Sequence, residues 1–296
     1  MIRKIFTAFA ALALVACAST SSEPTFPPGQ ALYVVRDADS TIYLFGTLHI
    51  RRPNEQWGGP RAQAGLAEAS EFWTEMDVSP ATQAQMQGLI VRYGLAQPGR
   101  PLASFFSEEE NARISETARE LGLPPEGLNM FQPWLAGLTI QIMQMMQGGF
   151  DAEAGADRMI DEWARANGKT PRWFETAEQQ IQMMAGMSAD VQRQMVLEAI
   201  DEADAGSEMM DRMATAWETG DLVTLERLVV RDMEREYPEM YQVLLVNRNN
   251  AWVETLHQEL QGSGVDFVAV GMGHVIGDDG LVAQLRARGY SVERVE

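Results

Sequence analysis

A single cysteine in 296 residues excludes a disulfide framework, and any zinc ribbon or iron–sulfur cluster assembled within one chain. Basic residues are scarce: 23 Lys and Arg face 42 Asp and Glu, for a formal net charge of −19. Binding a phosphate backbone needs clustered Lys and Arg, so nucleic acid is excluded as the main partner. Histidine is rarer still, with only His49, His257 and His274. There is no His-Glu-x-x-His, no Gly-x-Ser-x-Gly and no phosphate loop of the Walker type. Gly271-Met272-Gly273 begins like a dinucleotide loop, but the next glycine, Gly277, comes one residue late. What the chain has in quantity is apolar residues, 46% of the total, enough for a real core and incompatible with global disorder.

Residues 1–17 read as an export signal. Arg3 and Lys4 make a short basic head, and the apolar run Ile5 to Ala16 is too short for a spanning helix of about 20 residues. Leu14-Val15-Ala16-Cys17 has the pattern of a bacterial lipobox, whose cysteine is acylated and becomes the mature N-terminus. The only cysteine stands at the one place that pathway requires, which outweighs an ordinary signal with an incidental Cys17. Ala18 follows in place of Asp, the choice that implies the outer membrane in Gram-negative lipoproteins. The expected location is the cell envelope, with a lipid on Cys17 as membrane anchor and the protein facing the periplasm. Residues 18–30 are polar and proline-rich and read as a tether, leaving 31–296 as the folded domain.

Ala31–Arg36 and Thr41–Phe45 are rich in Tyr, Val, Ile, Leu and Phe; split by the polar turn Asp37–Ser40, they predict a β-hairpin. A helix over Arg61–Ala69 and a strand over Glu71–Met76 follow. From Pro80 to about Leu260 the pattern is helical. It includes a capping box at Ser107, helices over Asp151–Asn167 and Ser188–Asp204, a stop at Gly168 and a short strand over Arg172–Phe174. The C-terminus returns to strand Val265–Val270, helix Gly280–Arg288 and strand Ser291–Val295. One unit therefore occurs twice, strand–Gly-x-x-His–helix–strand, at Gly46-Thr47-Leu48-His49 and at Gly271-Met272-Gly273-His274. The fold class expected is α/β (α+β), with these two lobes forming a mixed sheet around a helical insertion of about 80–260.

A glycine just past a strand permits a sharp turn without a Cβ penalty. The histidine three residues later then lies near the carboxyl end of the strand, where open α/β sheets bind ligands. If the two units are neighbours, their imidazoles converge, and two imidazoles with a carboxylate make a common catalytic metal set. Glu75, near the end of Glu71–Met76, is the best-placed carboxylate, with Asp77 as its competitor.

The GTLH start, the GMGH finish and Glu75 resemble the TraB/PrgY/GumN family. Gly168-Lys169, Glu175-Thr176 with Gln179, and Arg248-Asn249 before Trp252 extend the likeness over about Ala31 to Val295. That family is similar to the Tiki metalloproteases and, more distantly, to erythromycin-esterase-like and haem-binding ChaN-like proteins. The resemblance implies a site in which His49, His274 and Glu75 hold a divalent ion (Mn²⁺, Co²⁺ or Zn²⁺), with Glu75 as ligand or as base to the bound water. The function it implies is a lipid-anchored, metal-dependent hydrolase, a Tiki-like peptidase acting on peptides in the envelope. The alternative is a non-catalytic envelope protein that sequesters a peptide or haem through the same cleft.

Blander readings stand beside these. His49 and His274 could simply bond loop carbonyls, and His257 suits a surface or half-buried helix position. Glu175 either reaches the same cleft or caps the helix beginning at Thr176. Arg248 is either catalytic, clamping a carboxylate of the substrate, or ion-paired with a site glutamate. Six of the 18 methionines (Met143, Met145, Met146, Met183, Met184 and Met187) fall at helical spacing among Ile140, Ile142 and Ile181. That spacing favours adaptable packing over a Cu(I) site.

Overall fold

The computed structural model describes residues 29–53, 56–205 and 208–295. The export signal, Cys17 and the tether as far as residue 28 lie outside the described residues. Among the described residues the apolar runs form six strands: β1 Leu32–Arg36, β2 Ser40–Thr47, β3 Glu71–Met76, β4 Thr170–Glu175, β5 Gly264–Gly271 and β6 Ser291–Arg294. They make one sheet in the order β4-β3-β5-β2-β1-β6. The predicted hairpin is β1–β2, and Asp37 Oδ1 closes its turn by accepting from the amides of Asp39 and Ser40 at 3.2 and 2.8 Å. β1 is antiparallel to both its neighbours, whereas β2–β5, β5–β3 and β3–β4 pair in parallel. The two Gly-x-x-His units therefore interleave in a single mixed sheet, with β5 of the second lying between β2 and β3 of the first.

Central position explains composition. Leu44 and Phe45 of β2 and Val268, Ala269 and Val270 of β5 are fully buried, as expected of parallel strands covered on both faces. Helices Pro60–Glu68, Ala156–Ala166, Glu208–Thr219, Asn247–Glu259 and Leu281–Ala287 supply the cover through Leu66, Ile160, Trp217, Trp252 and Leu285. Phe45 meets Trp57 and Trp217 edge to face at 5.7 and 6.2 Å, and Trp217 Nε1 donates to the Gly46 carbonyl at 2.8 Å.

The helical region has a core of its own. Helix Pro133–Gln147 packs on Ala189–Ala205, and a Cβ on Gly137 would come within 3.1 Å of the Met195 backbone, so that approach depends on glycine. Met187 is buried, Met143 and Met184 line the same apolar clusters, and Met146 is exposed. The thioethers are thus distributed as packing. The region also returns β4 to the edge of the main sheet, ending at Glu175.

Two departures from the predicted elements shape the site. The helix expected over Asp151–Asn167 starts only at Ala156, after a 3₁₀ turn over Ala152–Ala154 and a break at Gly155. A Cβ on Gly155 would overlap the His49 carbonyl oxygen, so this break lets the helix start touch the loop after β2. Arg51 and Asp151 exchange backbone hydrogen bonds at 3.2 and 2.7 Å, and Ala156 N–H donates to the Leu48 carbonyl at 3.0 Å. The amphipathic stretch from Pro238 contains a π-helical segment, Gln242–Val246, that leads directly into Asn247–Glu259. Such segments are frequent at functional sites. Among the described residues no helix is long and apolar enough to cross a membrane.

Candidate functional site

β2 and β5 pair residue for residue from Ser40↔Gly264 to Thr47↔Gly271, so both Gly-x-x-His segments leave the sheet side by side at its carboxyl end. His49 follows two residues beyond β2, and His274 sits on the short helix Met272–Val275 that begins where β5 stops. Glu75 comes from β3, the other neighbour of β5, and its Oε1 accepts from Gly271 N–H at 2.8 Å. That oxygen lies 3.5 Å from His49 Nε2 and 3.8 Å from His274 Nε2. The two imidazoles are therefore inside the span of about 8 Å over which nitrogens bonding at near 2.1 Å could share an ion with modest movement.

The glycines work by absence of bulk and not by a special turn, for neither Gly46 nor Gly271 has positive φ. A Cβ on Gly46 would overlap the Met272 side chain. A Cβ on Gly271 would stand 3.0 Å from Glu75 Oε1, 3.3 Å from His49 Nε2 and 3.7 Å from His274 Cδ2. The space above Gly271 is where the three groups meet.

Helix Asn247–Glu259 supplies one face to this space, because positions 248, 249 and 252 share a side of an α-helix. Asn249 Nδ2 donates to the Asp279 carbonyl at 2.9 Å, which fixes its amide and leaves Oδ1 to accept from His274 Nδ1 at 2.7 Å. His274 therefore carries its proton on Nδ1 and presents the Nε2 lone pair inward. Trp252 lies 4.3 Å from the His274 ring and donates from Nε1 to Glu175 at 3.1 Å. Burial, reinforced by Arg248 and only partly opposed by Glu75, pushes the His274 pKa down to about 3, so the ring is neutral.

Arg248 settles between its two expected roles as an ion-pair partner. Its Nε and Nη2 donate to Glu175 at 2.9 Å, and Nη2 also reaches Glu75 Oε2 at 2.6 Å. Nη1 donates to the Leu244 carbonyl at 3.2 Å and to His274 Nε2 at 2.9 Å. All the N–H groups of the guanidinium are occupied within the protein. Burial opposes the Glu75 charge, but His274, Arg248 and His49 hold its carboxyl well below the usual range. Since His274 is itself neutral, the guanidinium is the charge that matters most. Glu175 does not cap the next helix: Thr176 and Gln179 form that capping box.

His49 differs from His274. Its side chain is 54% exposed, and its Nδ1 faces Asp157 Oδ1 at 3.3 Å. Partial loss of solvent works against its charge, but Asp157 and then Glu75 outweigh that and hold its pKa well above the ordinary value. The other sequence candidates lie elsewhere. His257 meets Tyr290 through Nδ1 at 2.6 Å, and Asp77 is taken up by Ser79, Thr82 and Arg165. A cavity of about 500 Å³ between helices around Leu121, Met145 and Phe150 contains none of the residues of this centre.

The order of these segments along the chain agrees with a known pattern: the profile of the TraB/PrgY/gumN family matches residues 31–294. The chain belongs to the TraB/PrgY/gumN family. Comparison with curated proteins and with solved structures gave no match. In this TraB/PrgY/gumN protein the donor set suits a divalent ion, since both Nε2 atoms face one carboxylate oxygen and both Nδ1 atoms are backed by an acceptor. Asp157 Oδ1 is buried and faces the His49 ring at 3.3 Å. As they stand, however, no three His, Cys, Asp or Glu side chains among the described residues are arranged to hold a metal. At this centre the Arg248 guanidinium takes the lone pair of His274 that an ion would need.

Sequence reasoning named His49, Glu75, Glu175, Arg248 and His274 but gave no role to Asn249 and did not find Asp157. Asn249 could have been found from its place on the Arg248–Trp252 helix face. Asp157 carries no signal, because its helix begins at a break created by tertiary contact with His49.

Proposed function

We propose that this TraB/PrgY/gumN protein is a metal-dependent hydrolase centred on His49, Glu75 and His274. The observation that carries the reading is the approach of both imidazole Nε2 atoms to Glu75 Oε1 at the adjoining ends of three parallel strands. His49, His274 and Glu75 would hold the ion, and a bound ion supplies a more acidic water and polarises a scissile carbonyl. Asn249 keeps the proton of His274 on Nδ1. Asp157 orients His49, whose exposed side is the open approach for substrate. Arg248 and Glu175 balance the charge of Glu75.

Peptides in the cell envelope are the substrate class we propose, on the likeness to the Tiki metalloproteases, with Cys17 as the lipid anchor to the outer membrane. The full chain should cleave members of a peptide library with added Mn²⁺, Co²⁺ or Zn²⁺ and stop with chelator. Stoichiometric binding of intact ligand with no turnover would instead favour a sequestering protein. Cys17→Ser should release the protein from washed membranes without altering the fold; retention after high salt would remove the anchor.

A further inference from the structure

We infer that Arg248 is the internal occupant of the cation position, and that an ion enters by displacing its guanidinium from His274 and Glu75 while the contact with Glu175 acts as the pivot. This rests on the metal-dependent reading above. Four observations meet here. The guanidinium makes two sets of bonds, one to Glu175 through Nε and Nη2, the other to Glu75 and His274 through Nη2 and Nη1. The second set uses the donor atoms an ion would require. Asn249 fixes the His274 tautomer so that Nε2 can only accept, from Arg248 or from a metal but not from both. Around the centre there are three carboxylates: Glu75 and Glu175 pair with Arg248, and Asp157 faces His49, so a divalent ion that takes the place of the His49 proton can join Arg248 there without an excess of positive charge.

The remaining contacts make the movement small. Arg248 lies over the Trp252 ring at 4.6 Å, a flat apolar surface on which the planar group can turn while keeping its hold on Glu175. Its Nη1 bond to Leu244 at 3.2 Å is the longest of its set and draws on a carbonyl in the π-helical segment. Arg248 is on this account a positioning residue. It keeps the buried pocket paired when metal is absent, when Glu75 would otherwise be a buried unpaired charge.

The test is Co²⁺ binding to the full chain, read from the visible spectrum of the bound ion and from calorimetry, without any assay of turnover. Arg248→Met should tighten Co²⁺ binding at least tenfold. Arg248→Lys keeps the charge but cannot hold Glu175 and reach His274 together, and should tighten it about threefold. Tightening in the Met variant with none in Lys would reduce Arg248 to simple charge repulsion and overturn the occupant role. Unchanged or weaker binding in both variants, with wild-type binding that His274→Ala abolishes, would overturn the inference and leave the metal reading intact. No Co²⁺ binding by any form would sink both.

Should Arg248→Met not fold, the wild type still decides. On Zn²⁺ titration, the ¹⁵N shift of His274 Nε2 should move from hydrogen-bonded to metal-bound, and the Arg248 Nη signals should change with the same midpoint. Zinc on His274 with unperturbed Arg248 signals would refute the displacement.

Discussion

His274 and His49 end the same four-residue pattern, yet one side chain is 5% exposed and the other 54%. The inner histidine is held at both nitrogens, tilted against the Trp252 ring and neutral; the outer one has a carboxylate at each nitrogen and an open flank. The difference follows from what each strand runs into. β5 runs into the short helix Met272–Val275, which sets His274 against Asn249 and Trp252 of helix Asn247–Glu259. β2 instead continues into a loop held to residues 151–156 by backbone bonds and by Arg51 Nη1 on the Ala154 carbonyl. A repeated sequence pattern therefore builds an asymmetric pair, one fixed donor and one accessible to solvent.

The change expected to break the pair most completely is Gly271→Ala, because its Cβ would crowd Glu75 Oε1 and His49 Nε2 while touching the His274 ring. Co²⁺ affinity should fall by a hundredfold or more, with stability down by about 1–3 kcal/mol from overpacking. Calorimetric titration and thermal melting read both; wild-type affinity in the Ala variant would show that the three groups do not work in that space.

Next in size is the contrast between the histidines themselves. His274→Ala strands Asn249 and Arg248 inside the protein and should cost about 2–4 kcal/mol. His49→Ala removes a half-open side chain and should cost under about 1 kcal/mol. Metal affinity should be lost in both, and the double variant should add little, since two ligands of one ion act as a unit. Equal stability losses in denaturant melts would dissolve the inner and outer distinction.

How much of this was legible follows from the same asymmetry. The strands were readable because apolar alternation and runs mark them: β3 falls on the predicted residues, and β1, β2 and β5 differ by one or two at their ends. His49, His274 and Glu75 were readable because a repeated motif and a strand-end carboxylate have local signatures. The reason given for the glycines was not the operative one, since Gly271 provides room for other side chains. Asp157 was illegible because its position depends on Gly155 packing against the His49 carbonyl, a contact between segments about a hundred residues apart. Single-sequence patterns report local conformation, not which loops will be sewn together.

A smaller effect separates the acceptors behind the two rings. Asn249→Ala should weaken metal binding about 10- to 100-fold by releasing the His274 tautomer, within the range for partners of metal ligands. Asp157→Asn should cost less, because solvent can replace it at the exposed His49. The order reverses if His49 is the better-fixed donor, which competition with a chromogenic chelator would reveal.

The smallest effect concerns a carboxylate placed at the opposite end of β5. Burial, then Glu259 and Glu71, push Asp266 up to about 6, whereas Glu75 is held low by its cationic partner. A raised carboxyl favours the folded state when protonated, a contribution present at low pH and lost as pH rises through about 6. Asp266→Asn should therefore raise the melting temperature by a few degrees at pH 7–8, and the gain should vanish near pH 4. Metal binding should not change, and a gain that grew toward low pH would reverse the assignment.

The central claim, that two unlike histidines and Glu75 serve one ion, is tested most directly by X-ray absorption on the zinc-loaded full chain. The account requires one tightly bound ion per chain, with two imidazole nitrogens and a carboxylate oxygen in its inner shell. An ion with fewer than two imidazoles, or a chain that takes up no zinc after the Arg248→Met substitution, would contradict it.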